Sequence, residues 1–119
     1  IFFEPTLLTV NRNDLAIMQE ENFGPLMPVM KVADDAEAIA NINDSEFGLT
    51  AVICTSHRTR ADAFSKAVEA GTIFMNRCDY LDPALPWTGL KASGKGSSLS
   101  CYGLLAMTRP KAIHFRTQF

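Results

Sequence analysis

The sequence predicts an α/β fold: a parallel-sheet piece with covering helices, followed by a C-terminal edge strand. Three observations carry this. Short runs rich in apolar and β-branched residues recur at 26–32, 49–54 and 72–76. Between them lie stretches whose apolar residues fall on one helical face. Strands that are apolar throughout and joined by amphipathic helices belong in a parallel sheet covered on both sides.

Taken in order, residues 1–10 read as a strand interrupted at Pro5, whose missing N–H favours an edge or irregular position. Asn13 and Asp14 are placed to cap a short helical turn through Leu15, Ala16, Ile17 and Met18. Gln19-Glu20-Glu21-Asn22-Phe23-Gly24-Pro25 then sets two carboxylates and a ring before a Gly-Pro break. Pro25 fixes φ there, so the residues just before it are expected to be held. A held carboxylate two residues from a held ring suits a ligand with a polyol next to a flat ring.

After the strand at 26–32, Asp34-x-x-Glu37 has the form of a capping box, with Ala36, Ile39 and Ala40 on one face of the helix that follows. Residues 43–48 are a polar connection. Thr59-x-x-Asp62 opens a second helix with Ala61, Phe64, Ala67 and Val68 inward and Gly71 as its C-terminal cap. Residues 77–98 lack periodicity and form a long loop at the carboxyl end of the third strand, where ligands gather in such sheets. Leu81, Leu85 and Trp87 argue that this loop is ordered. A helix over 99–107 follows. Ile113, Phe115, Thr117 and Phe119 then alternate with His114, Arg116 and Gln118, as in a half-buried strand that another chain should cover.

Composition narrows the function classes. The chain has 119 residues, 47% hydrophobic and 20% charged, enough for one domain with a modest core. A net charge of −2, with 11 basic and 13 acidic residues of interspersed sign, argues against nucleic acid or anionic membrane as a partner. No apolar run has the length of a membrane span. Cys54, Cys78 and Cys101 are odd in number and lack metal spacing, which fits a reducing, cytoplasmic setting and no metal site. The start at Ile1, without an initiator Met or signal-peptide layout, reads as a piece of a longer chain.

Gly89-x-x-x-x-Gly94-Lys95 comes close to a phosphate-binding loop, but Gly96 stands where a Mg²⁺-binding hydroxyl is needed. The glycines are better read as tight turns at a pocket edge. His57 reads as a solvated loop residue and His114 has no second ligand. Cys54 falls in an apolar strand and reads as a small core residue. Cys78 has no nearby base, so no catalytic nucleophile is assigned.

Several stretches resemble, in order, motifs of the NAD(P)-dependent aldehyde dehydrogenase superfamily. They are Glu20-Glu21-x-Phe23-Gly24-Pro25 before an apolar strand; Asn43-Asp44-Ser45-Glu46-Phe47-Gly48-Leu49; Ala70-Gly71-Thr72 running to Met75-Asn76; Pro86-Trp87-Thr88-Gly89-Leu90-Lys91-Ala92-Ser93-Gly94; and Tyr102-Gly103-Leu104. The resemblance implies that residues 1–108 are the C-terminal part of the catalytic domain and residues 109–119 an oligomerisation strand that adds to a neighbouring subunit. It implies cofactor-binding roles for Glu21, at the ribose hydroxyls of NAD or NADP, and for Phe23, beside the nicotinamide. It places Asn76, Leu81 and Trp87 at the substrate pocket for an aldehyde.

Three positions depart from the family pattern: Asn22 where an aliphatic residue or Thr is common, Trp87 where Phe is usual, and Thr88 where Gly is usual. The family's nucleophilic cysteine, its glutamate base and its Rossmann domain have no counterpart here, so the parent is expected to oxidise an aldehyde through a cysteine thioester while the piece alone is inactive. The alternative reading is a non-catalytic truncated homologue that acts as an assembly or binding module.

Overall fold

The computed structural model describes residues 2–118; Ile1 and Phe119, at the outer ends of the first and last predicted strands, lie outside the described residues. The elements are β1 (Thr6–Val10), α1 (Ala16–Gln19), β2 (Leu26–Met30), α2 (Asp35–Asn43), β3 (Phe47–Gly48), β4 (Thr50–Ile53), α3 (Arg58–Ala67), β5 (Thr72–Met75), β6 (Leu90–Lys91) and α4 (Ser100–Ala106).

The apolar runs become strands, and they pair in parallel. β1 pairs β2 with Leu8 opposite Pro28, and β4 pairs β5 with Ala51 opposite Ile73. The two pairs do not join among the described residues, so the single sheet expected from the sequence is two parallel ribbons. An apolar run specifies that a strand is to be buried, and leaves open which strand lies beside it. A third, antiparallel pair, β3 with β6, was not foreseen: Phe47 faces Lys91 and Gly48 faces Leu90.

Covering is also less complete than expected. α3 faces the β4–β5 ribbon across a cavity lined by Ala61, Ile53, Ile73 and Phe74. Among the described residues the buried apolar side chains are Ala61, Phe64 and Val68. Leu7, Met27, Val29 and Val52 point outward from the ribbons and are exposed. The radius of gyration is 20.1 Å, against about 13–14 Å for a compact domain of this length. The patterning is that of buried strands, but this chain supplies one helix layer over only part of it.

Cap chemistry explains where the helices start and stop. Asp34 accepts from the Glu37 N–H at 2.9 Å, and Glu37 reaches back to the Ala33 N–H at 2.7 Å. The reciprocal bond thus lands one residue before the cap. Neither Asn13 nor Asp14 caps α1, whose cap position is Leu15. Asp14 pairs with its near neighbour Arg12 instead, and Asn13 reaches Asp44 in a remote segment at 3.0 Å, so both side chains are engaged away from the four-residue helix.

Thr59 and Asp62 do not cap α3. Its cap position is His57, and Asp62 pairs with Lys66 one turn on, at 2.6 Å. Ala67, expected inward, is exposed. Gly71 is not the C-terminal cap either. The side chain of Asn43 takes that role from α2, donating to Ala67 O at 2.8 Å and accepting from the Glu69 N–H at 2.8 Å. Cys54, expected in the core, is exposed just past the end of β4.

α2 and α3 are tied by Arg60, whose guanidinium grips Asp35 through Nε at 2.6 Å and through a second nitrogen. These hydrogen bonds, and then the charge itself, hold the Asp35 carboxyl below its ordinary value. A lowered folded-state value means that the contribution is present above the unfolded carboxylate pKa of about 3.9. It is lost as pH falls through the lower folded value. Asp35→Asn is therefore expected to lower the urea midpoint near neutral pH by a small amount, as for exposed pairs. The difference from the parent protein should close in acid; a difference that persists unchanged in acid would contradict the linkage.

Residues 77–98 form the ordered loop expected, threaded by β6 and closed by an antiparallel bridge between Trp87 and Ser98. All non-glycine residues with positive φ among the described residues border or lie in this loop: Asn76, Lys91, Leu99 and Ser100. Such conformations cost about 1–3 kcal/mol each and persist where surrounding contacts enforce them. The C-terminal segment differs from its expectation. Residues 108–118 form no helix or strand in this chain, and Ile113 and Phe115 are exposed. A strand needs a ladder partner, and among the described residues no strand pairs with this segment.

Candidate cofactor and substrate site

The glutamate motif sits between α1 and β2. Asn22, one of the departures from the family pattern, accepts the Gly24 N–H at 2.8 Å, a side-chain turn that shapes the backbone under Phe23. The backbone is thus held as expected, but the ring is not: Phe23 is 92% exposed. Glu21 is exposed too, and its carboxylate makes no hydrogen bond among the described residues. It borders a cavity of about 680 Å³ shared with Ser45, Phe47, Gly48, Glu69 and Ser93.

That cavity is walled by the β3–β6 pair and by bonds across it. Ser93 Oγ accepts the Gly48 N–H at 2.9 Å, and Ala92 N donates to Glu46 O at 2.8 Å. Lys91 is the fastening. Its ammonium donates to Asn43 O at 2.6 Å and to Ser45 O at 3.1 Å, and pairs with Glu69 at 2.8 Å. Lys91, Asn43, Glu69 and Ser93 carry this geometry; three of them fall in the family-like stretches, but no periodicity or spacing marks the contacts they make.

A second cavity, of about 210 Å³, brings Leu81 and Trp87 together with Phe74, Tyr80 and Leu99. Asn76 lines neither cavity. Its amide is used on the end of β4, accepting from Thr55 N and donating to Thr55 O, both at 2.8 Å. With φ of 57°, a backbone region Asn tolerates better than most residues, it turns the chain out of β5 into the loop. Of the five residues singled out, Leu81 and Trp87 meet, Glu21 borders a different cavity, and Phe23 and Asn76 line none of those described.

Thr88, another departure, donates to Gly96 O at 2.7 Å and so braces the glycine-rich stretch. Gly94 and Gly96 both have positive φ, and with Lys95 they edge a shallow cavity beside Trp87, as tight turns at a pocket rim do. No group of three or more His, Cys, Asp or Glu side chains suited to a metal occurs among the described residues. No helix there is long and apolar enough to cross a membrane.

Residues 1–113 match the model of the aldehyde dehydrogenase family. A putative aldehyde dehydrogenase-like protein of Schizosaccharomyces pombe is 42% identical over 113 residues, which are 95% of this chain and 22% of that protein. The crystal structure of a Mycobacterium tuberculosis aldehyde dehydrogenase complexed with NAD+ superposes with a TM-score of 0.91 at 30% identity, over 99% of this chain and 24% of that one. An E. coli NADP dependent enzyme gives a TM-score of 0.81 at 37% identity, over 87% of this chain and 21% of that one. The chain therefore spans less than a quarter of the length of these proteins. With its ordered motifs, its parallel ribbons and its sequence from residue 1 to 113 all in agreement, the chain belongs to the aldehyde dehydrogenase family.

Proposed function

We propose that this chain is the C-terminal part of the catalytic domain of an enzyme that oxidises an aldehyde to a carboxylic acid with NAD+ or NADP+. The observation that carries the reading is Glu21. Its carboxylate has no hydrogen-bond partner among the described residues and stands at the edge of a cavity of about 680 Å³, two residues from an unpacked ring. A carboxylate with both oxygens open can accept from two vicinal hydroxyls, so Glu21 fits a ribose and Phe23 a nicotinamide. NAD or NADP, bound there, supplies the hydride acceptor. The chain's own part is to hold that ribose through Glu21, to flank the ring with Phe23, and to line the aldehyde's path with Leu81 and Trp87. Asn76 contributes by setting the end of β5 beside that path.

The nucleophile that forms the thioester with the aldehyde carbon comes from outside these 119 residues. Cys54, Cys78 and Cys101 are exposed free cysteines, a state suited to a reducing cytoplasm. The exposed faces of both ribbons pack against the rest of the catalytic domain, and residues 109–119 add as a strand to a neighbouring subunit.

Two measurements test this. The 119-residue chain alone should give no aldehyde-dependent reduction of NAD+ or NADP+, whereas the enzyme that carries it should; turnover by the chain alone would overturn the division of roles. In the enzyme, Glu21→Gln should raise KM for the dinucleotide by about tenfold or more, the loss of one or two charge-assisted bonds. An unchanged KM would remove Glu21 from the cofactor site.

A further inference from the structure

We infer that the cavity beneath Trp87 holds a neutral, monocyclic aromatic ring, so that the aldehyde handled here is an aromatic one. The choice of substrate rests on the dehydrogenase reading above; the choice of occupant rests on the cavity alone.

Both charged residues at this cavity have a partner in the chain. The Arg77 side chain pairs with Asp79 at 3.1 Å and lies over the Tyr80 ring, 5.0 Å from its centre. Asp82 turns its carboxylate onto the Ala84 N–H at 2.8 Å, and its carbonyl accepts from Leu85 N at 3.0 Å. Arg77 and Asp82 are opposite in sign, so the lining offers no net counter-charge to a charged ligand group. Apart from Tyr80 and from Thr72, whose buried hydroxyl has no partner among the described residues, the rest of the lining is apolar: Phe74, Leu81, Leu85, Pro86, Trp87 and Leu99.

Size and rigidity then favour a ring over a chain. An apolar cavity of about 150 Å³ accommodates benzene; this one, at about 210 Å³, has room for a ring with a short substituent. Three aromatic side chains from separate segments converge on it: Phe74 from β5, Tyr80 from the start of the loop and Trp87 from its far side. Aromatic pairs contribute beyond their buried area. The walls are preset. Trp87 and Ser98 exchange two hydrogen bonds of 2.8 Å, and Ser100 N donates to Pro83 O at 2.9 Å. A flat ligand with no internal rotors enters such a slot without the ordering cost of a flexible alkyl tail.

Trp87 is the single tryptophan of the chain, so its emission reports on this cavity and on the shallow one that it also edges, and the Leu85 variant separates the two. Titrating the 119-residue chain with benzyl alcohol should give a saturable change in that emission, at a concentration about tenfold lower than 1-hexanol requires. Leu85→Phe, which fills the cavity from its exposed side, should abolish saturation. Equal response to the two alcohols, unsaturable quenching, or saturation surviving in Leu85→Phe would overturn the inference.

A second readout uses the enzyme that carries this segment and compares kcat/KM for benzaldehyde and heptanal. Benzaldehyde should be preferred, and Trp87→Ala should lower its kcat/KM about tenfold while heptanal changes less than about threefold. A preference for heptanal, or an equal fall for both, would overturn the substrate class even where benzyl alcohol binds. Oxidation of neither aldehyde would sink the dehydrogenase reading, and the fluorescence titration would then decide the occupant on its own. If the isolated chain lacks a folded emission spectrum, the kinetic comparison decides it.

Discussion

Gly71→Ala is expected to cost more than about 3 kcal/mol of stability, at or beyond the upper end of overpacking effects. A Cβ at residue 71 would lie 1.7 Å from Thr88 O and 2.5 Å from Thr88 C, both backbone atoms that cannot rotate away. Gly71 cannot retreat, because its N–H is bonded to Gly48 O at 3.0 Å, and a Cβ at Gly48 would itself meet Glu69 O at 2.4 Å. The chain packs backbone on backbone at both points. Forcing them apart moves Thr88, breaks its bond to Gly96 O and tilts Trp87 in its bridge to Ser98. The measurement is a urea titration, with a lower midpoint at unchanged slope and a shifted Trp87 emission maximum. A midpoint within the range of ordinary surface variants would show that this close approach is not made in solution.

Lys91→Met is the second large effect, expected at about 2 kcal/mol. The Lys91 side chain is only 24% exposed, and its ammonium joins three oxygens on three segments: Asn43 O at the end of α2, Ser45 O before β3, and the Glu69 carboxylate after α3. Methionine keeps the stem and removes every donor. Two carbonyls and a half-exposed carboxylate must then be satisfied by water, which softens the cost relative to a buried charge. Lys91 also has φ of 54°, a strained region for a side chain with a Cβ. Lys91→Gly removes the donors but relieves that strain, worth about 1–2 kcal/mol, so it should be less damaging than Lys91→Met. If both variants are equally unstable, strain plays no part. If Lys91→Met is neutral, the three bonds hold nothing together.

The effect of Lys91 reaches the proposed cofactor site because Ser45, Glu69 and Ala92 share the cavity that Glu21 borders. Loosening the fastening should therefore weaken dinucleotide binding in the enzyme as well as stability, whereas Gly71→Ala acts first on the Trp87 side. The two substitutions separate the two cavities.

Local chemistry made much of this legible before any coordinates. The runs that became β1, β2, β4 and β5, the capping box at Asp34 and Glu37, the buried pair Ala61 and Phe64, and the ordering of the 77–98 loop all follow from side-chain pattern within one element or one turn. The ordered motifs led to the family, and the match over residues 1–113 agrees with them. Leu81 and Trp87 line one cavity.

Elsewhere a nearby residue was credited with work that a distant one does. Gly71 looked like a helix cap because it follows α3, but Asn43, 24 residues before Ala67, reaches across and takes that position. Asn13 looked like a cap for α1 and bonds α2's terminus instead. Cys54 looked buried because its neighbours in the run are apolar, and it emerges at the strand's end.

By itself, then, the sequence determined β1, β2, β4, β5 and the four helices, the family and the order of its motifs, because each depends on residues close together along the chain. Only the tertiary structure decided the β3–β6 pairing, the role of Lys91, the division of the candidate residues between two cavities, and the split of the expected sheet into two ribbons. Those features depend on which backbone atoms from remote segments come within hydrogen-bond reach, and long-range pairing leaves almost no periodic trace in the residues it joins.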